Sequence, residues 1–150
     1  WFDLMIPSIL FGLIILQLAN FMMQFSLGTP LGLDIPNDHS LAEYVEYRYR
    51  PTGFEAYQYF QPVALYQAFA YSIVFIISVL CLLINRKYKF LAEGTVFLFS
   101  VILMAIIRFS IGFMYFSVNK DMLLYPMQWI ALTVMIATVF IYVVKRFQHN

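Results

Sequence analysis

Charge, cysteine and histidine are all scarce in this 150-residue chain, and each shortage closes off a class of function. Charged residues make up 11% and hydrophobic residues 63%. That balance is too apolar for a soluble monomer, so the expected class is an integral membrane protein. The net charge of +1 comes from bases that are scattered or sit near the ends of apolar runs, with no basic stripe to track a nucleic-acid backbone. No nucleic-acid partner is expected. The lone cysteine, Cys81, lies in an apolar run, which excludes an internal disulfide and favours a packing role over palmitoylation or chemistry. The two histidines, His39 and His149, fall in segments expected on opposite sides of the membrane, so they cannot form one site. No His-x-Glu or Cys-x-x-Cys spacing offers a metal site. No G-x-S-x-G elbow or glycine-rich phosphate loop is present either. The apolar runs hold no carboxylate, histidine or lysine to act as a general base, Glu93 standing at the edge of one. The expected catalytic residues and metal ligands are therefore none.

What the chain has instead is four apolar stretches, about Leu4 to Leu27, Pro62 to Ile84, Gly94 to Phe116 and Met122 to Val144. Each reaches the roughly 20 residues that cross about 30 Å of hydrocarbon. The expected fold class is all-α, a polytopic membrane helix bundle of four transmembrane helices plus an outer interfacial arm, forming a single membrane domain over residues 1–150. The link Asn85-Arg86-Lys87-Tyr88-Lys89 carries three bases and the tail after the fourth run begins Lys145-Arg146. Basic segments stay cytoplasmic, so both ends of the segment are expected on that side and residues 28–61 on the other. Asp34, Asp38, Glu43, Glu46 and Glu55 against Arg48 and Arg50 suit a translocated loop. The first run lacks a basic leader and a small-residue cleavage site, so it is expected as a stable span rather than a signal peptide. A start at Trp1 leads us to expect that an N-terminal portion is missing. Within the loop, Leu41 to Arg50 has no helix breaker and is bounded by Pro36-Asn37-Asp38 and Pro51-Thr52-Gly53. Its tyrosines Tyr44, Tyr47 and Tyr49, with Tyr57 and Tyr59 following, are of the type that settles at headgroup level. An arm lying on the outer membrane surface is expected.

Arg108 is the exceptional residue, a cation inside a membrane-length run. A guanidinium at that depth costs about 3 kcal/mol on insertion scales and so calls for a partner. The plainer account is snorkelling to the interface along its alkyl stem. The functional account is a phosphodiester headgroup, which the planar fork can grip by two oxygens at once. Gln17, Asn20 and Gln24 recur on one stripe of the first run; Gln67, Tyr71, Ser78 and Cys81 share a face of the second, with Tyr66 beside it. Arg108, Gly112 and Tyr115 align at helical spacing on the third, Gly112 leaving room next to the arginine, and Gln128 follows Pro126 on the fourth. Such amides serve as glue between helices at about 1 kcal/mol each. They also suit a cavity that opens toward the outer leaflet.

Five landmarks carry a family resemblance: Leu16-Gln-Leu-Ala-Asn-Phe21, then Leu27-Gly-Thr-Pro-Leu-Gly-Leu-Asp-Ile-Pro36, then Gln61-Pro-Val-Ala-Leu-Tyr-Gln67, then Arg108-Phe-Ser-Ile-Gly-Phe113, and Gln128. Their order and spacing resemble the later half to two thirds of prolipoprotein diacylglyceryl transferases. These seven-span enzymes move diacylglyceryl from phosphatidylglycerol to the lipobox cysteine of bacterial prelipoproteins. Arg108, Asn20, Pro62, Leu65, Tyr66 and Gln128 keep the family's residues. Gln61 stands for the family's histidine, Gln17 for an arginine, and Phe25 and Gly112 for glutamates. Glutamine keeps size and hydrogen bonding but supplies neither a base near neutral pH nor a charge. A positioned acid or base is worth about 10²–10⁴-fold in rate, so any acyl transfer should be lost.

The resemblance thus implies a noncatalytic relative in a bacterial cytoplasmic membrane, a lipid-binding accessory or structural subunit of a larger membrane complex. Its expected lipid-binding residues are Arg108, Asn20, Gln17, Gln61, Tyr66, Gln67 and Gln128. The expected ligand is a bound phospholipid such as phosphatidylglycerol, with no other cofactor, and the expected partners are membrane lipid and other membrane subunits. The rival reading is an active diacylglyceryl transferase whose missing groups come from an absent N-terminal portion or a second chain. A transporter or channel is disfavoured because no acidic or histidine relay crosses the apolar runs.

Overall fold

The computed structural model describes residues 2–25, 27–31, 42–89, 91–115 and 126–148, the side chains of 145–148 excepted. Among the described residues there are four α-helices: α1 Phe2–Met22, α2 Val63–Tyr88, α3 Thr95–Gly112 and α4 Pro126–Gln148. Each is long and apolar enough to cross a membrane, α4 through its Pro126–Val144 portion. Large apolar side chains such as Phe11, Phe69 and Phe140 are 56%, 69% and 67% exposed. A surface so rich in bare aromatic and aliphatic groups belongs against acyl chains rather than water.

The helices run up and down alternately. Asp3, in the first turn of α1, reaches the start of α3, while the segment after α1 pairs with the start of α2 and the end of α3. Proline opens both α2 and α4, standing just before the first at Pro62 and at the first position of the second. A missing N–H is harmless there because helix starts leave it unused. At the turn between α2 and α3, Lys89 adopts a left-handed conformation and its N–H bonds the Asn85 carbonyl. The Asn85 side chain also bridges Leu91, accepting from its N–H at 2.8 Å and donating to its carbonyl at 3.3 Å. Ile6 and Leu10 of α1, Val74 of α2 and Val96 of α3 form the apolar core. Ser78 and Ser100 meet across α2 and α3, Oγ to Oγ at 2.7 Å. Among the described residues, α4 packs on α3 alone of the helices.

Several sequence-based boundaries shift. The first helix ends at Met22 rather than Leu27, because Gln24 turns to φ 54° and the chain then enters a bridge at Gly28. Gln24 thus leaves the amide stripe it was expected to share with Gln17 and Asn20. The third helix ends at Gly112 rather than Phe116, its last turn tightening as Met114 N bonds the Ile111 carbonyl. Tyr115 therefore does not continue the face of Arg108 and Gly112, and bridges Gly28 instead. The second helix runs on through the basic link to Tyr88.

The expected surface arm is a small hairpin. β1, Glu43–Tyr44, pairs antiparallel with β2, Tyr59–Phe60, with Glu43 opposite Phe60 and Tyr44 opposite Tyr59; a 3₁₀ turn spans Tyr47–Tyr49. Alternation explains why this stretch is not a helix: Glu43 and Val45 are buried while Tyr44 and Glu46 are exposed, a period of two. Arg50 ties the hairpin by donating from Nε to the Val45 carbonyl at 3.0 Å and from Nη1 to the Glu55 carbonyl at 2.8 Å. The expectations for His39, His149, Asp34, Asp38, the Pro36-Asn37-Asp38 turn, Phe116, Met122 and the Lys145-Arg146 side chains lie outside the described residues.

Candidate functional site

The family-like landmarks, far apart in sequence, meet where the hairpin joins the helices. Residues 27–31 run between the start of α2 and the end of α3. Gly28 N donates to the Gln61 carbonyl, Gln61 N to the Thr29 carbonyl and Thr29 N to the Met114 carbonyl, all at 3.1–3.2 Å. Pro30 bridges Phe60 on the far side. Only glycine fits at 28, since a Cβ there would stand 2.5 Å from the Gln61 carbonyl oxygen and from Val63 Cγ2.

A layer of amides lies just beneath this junction. Gln17 comes five residues before the end of α1, Gln67 four after the start of α2, Arg108 four before the end of α3 and Gln128 two after the start of α4. At 1.5 Å per residue all four sit within about 8 Å of the hairpin end. Gln67 is fully buried; its Nε2 donates to the Tyr71 hydroxyl at 2.8 Å and its Oε1 accepts from the Tyr115 hydroxyl at 2.9 Å. Gln17, 3% exposed, accepts from Asn20 Nδ2 at 3.3 Å. Gln128, 1% exposed, donates from Nε2 to the Phe109 carbonyl at 3.3 Å. It also fills the space over Gly112, where a Cβ would meet its Cγ at 2.6 Å. The room that Gly112 was expected to leave beside the arginine is taken by this amide.

The expected site residues share a depth, and their hydrogen bonds among the described residues fall into several groups. Gln67 joins Tyr71 and Tyr115, Gln17 joins Asn20, and Gln128 joins α3. Gln61 takes part through its backbone. Tyr66 and Arg108 are half-buried, and among the described residues neither side chain has a hydrogen-bond or ion-pair partner. Arg108 stands one turn before Gly112, next to the carbonyl of Phe109 that Gln128 holds.

Sequence reasoning counted Glu43 among the acidic residues of a translocated loop and did not single it out. The residue is 6% exposed, and among the described residues neither carboxylate oxygen has a hydrogen-bond partner. Burial without a donor pushes its carboxyl up to about 7. Glu55 on the same hairpin takes the opposite course, its carboxyl held below the usual range by the N–H of Gly53 at 3.0 Å. The period-two alternation of Glu43 and Val45 was the available signal. Asp3 was missed too, although a carboxylate directly before an apolar run is the kind of group that caps a neighbouring helix.

Four apolar crossings, alternating in direction and closed at one end by a hairpin over a layer of amides, define a polytopic helical membrane protein. A family model of prolipoprotein diacylglyceryl transferase matches residues 1–144, and the chain belongs to that family. It is an integral membrane protein of a family tied to lipoprotein maturation. No curated protein and no solved structure matches the chain.

Proposed function

We propose that this chain is a noncatalytic member of the family that holds a phospholipid by its headgroup. It serves as an accessory or structural subunit of a larger assembly in a bacterial cytoplasmic membrane, both ends of the segment facing the cytoplasm. The observation that carries this reading is Arg108, half-buried at the depth of the amide layer and without a hydrogen-bond or ion-pair partner among the described residues. A guanidinium so placed offers both edges of its fork to an anionic phosphodiester, phosphatidylglycerol being the family's own lipid. The amides expected at the site grip but do not transfer protons. Gln17, Gln61, Gln67 and Gln128 are neutral at any physiological pH, and Gln128 occupies the ground over Gly112 where the family resemblance puts a glutamate. The apolar faces of α1 and α4 that turn away from α2 and α3 suit acyl chains or partner helices.

The test is the phospholipid that copurifies with the protein, counted by mass spectrometry for wild type, Arg108→Lys and Arg108→Gln. A charge-assisted bond is worth about 1.5–3 kcal/mol, so Arg108→Gln should lower phosphatidylglycerol occupancy about tenfold or more, and Arg108→Lys less. Equal occupancy in all three would mean that the arginine only snorkels. One observation favours the rival, an active transferase: Glu43 brings a carboxyl that titrates near neutrality into the hairpin. Phosphatidylglycerol-dependent labelling of a lipobox peptide by the purified protein would end the noncatalytic reading.

A further inference from the structure

Among the described residues, two buried acceptors on adjoining segments lack a donor. Glu43 on β1 has both carboxylate oxygens buried and unpaired, and Gln24, in the turn after α1, has its Oε1 in the same state. The segments are already tied, because Gln24 Nε2 donates to the carbonyl of Tyr44, the residue after Glu43, at 2.7 Å. An ionised carboxylate in such a place is costly, and so is an amide oxygen with nothing to accept. One proton relieves both, since a neutral carboxyl has a single O–H to give and Gln24 Oε1 is free to take it.

We propose that Glu43 is a proton-binding latch: in its neutral form it donates to Gln24 Oε1, adding a second tie between the hairpin and the end of α1, and loss of that proton releases the hairpin. The hairpin pairs with residues 30–31 through Tyr59 and Phe60, so its release loosens the junction that adjoins the amide layer. The idea does not depend on what Arg108 holds.

Among the described residues the charged groups of the hairpin are engaged away from Glu43. On the hairpin, Arg50 is engaged by the Val45 and Glu55 carbonyls and lies over the rings of Tyr44 and Tyr47. Glu46 and Arg48 pair with each other at 2.8 Å on the surface. Tyr59 stacks edge-on against Tyr44. The turn after α1 contributes Gln24, and residues 27–31 contribute no titratable side chain. The sign follows from the raised affinity for the proton. The latched state binds it more tightly than the released one, so the latch is complete at acid pH and fades as pH rises through about 7.

The experiment is hydrogen exchange of the amides of residues 43–60 in the full chain, held in nanodiscs of fixed lipid composition and followed from about pH 5 to about pH 9 after correction for intrinsic rates. Carbon-13 titration of the Glu43 carboxyl in unmutated protein runs beside it. Hairpin protection in wild type should fall about tenfold or more across the range. Glu43→Gln, whose amide still donates to Gln24, should stay protected at every pH, and Gln24→Leu should lose the acid-side protection. The latch is overturned if Glu43→Gln follows the wild-type pH curve, or if the wild-type carboxyl titrates in the ordinary range near 4–5. Protection that persists to high pH only in lipid bearing a primary ammonium would overturn it as well, assigning the pair to a bound cation.

Discussion

Two carboxylates in apolar surroundings, at opposite ends of the same bundle, meet opposite fates. Asp3 crosses from α1 to the start of α3, where its oxygens accept from Gly94 N at 2.6 Å and Phe97 N at 2.7 Å. It supplies the cap that α3 lacks, because Gly94 precedes the helix and offers no side-chain acceptor. Glu43 at the hairpin end is as well buried as a core residue and has no donor among the described residues. The contrast extends to their surroundings. The Asp3 end continues into the apolar core and the serine contact, and the hairpin end gathers the half-buried arginine and the amides. One end is built to stay shut, with its polar groups answered by backbone. The other keeps a charge and an acid in reserve, as sites of binding do.

Gly28 offers the strongest way to break this contrast. Gly28→Ala drives a Cβ to within 2.5 Å of the Gln61 carbonyl oxygen and of Val63, neither of which is a flexible tip. Overpacking of this kind costs about 3 kcal/mol at its upper range. The loss should be confined to the hairpin end: exchange of the 43–60 amides should quicken while the amides of α3 near Val96 keep their protection. Uniform quickening would show that the two ends unfold together. Asp3→Ala should do the reverse. Removing a cap costs about 1–2 kcal/mol, so the first turn of α3 should exchange faster and the midpoint of denaturation in detergent should fall, with the hairpin unchanged. Asp3→Asn should recover part of the loss, since one amide oxygen can still accept.

How far the sequence could be read also divides along this line. The four spans, their alternation and the family relationship follow from apolar runs, flanking bases and the order of landmarks, all of which are local or nearly so. Residue depth was legible for the same reason, because Gln17, Gln67, Arg108 and Gln128 each stand a few residues from a helix end. What was not legible depends on packing between segments. The left-handed turn at Gln24 moved that amide from the α1 stripe to the hairpin, and no local pattern marks it. Gln128 filling the gap over Gly112 is a contact between α3 and α4, invisible from either alone. The burial of Glu43 was not legible because charge composition speaks for exposure, whereas a hairpin places every second residue inward whatever its charge.

The smallest effect tests whether the satisfied end is as satisfied as it looks. Ser78 Oγ lies 2.7 Å from Ser100 Oγ, yet each also has a carbonyl of its own helix in range, Val74 at 2.7 Å and Val96 at 2.8 Å. Two hydroxyls hold two protons, and three contacts compete for them. If the hydroxyl contact takes one proton, one helix carbonyl gives up its serine bond; if both carbonyls are served, the serines touch with no hydrogen between them. Either way the gain between helices is small. A double-mutant cycle of Ser78→Ala, Ser100→Ala and the pair should return a coupling of about 0.6 kcal/mol or less, in keeping with side-chain bonds between helices in lipid. A coupling several times larger would mean that the hydroxyl pair, rather than the apolar core beside it, locks α2 to α3 and sets the rigid end apart from the hairpin end.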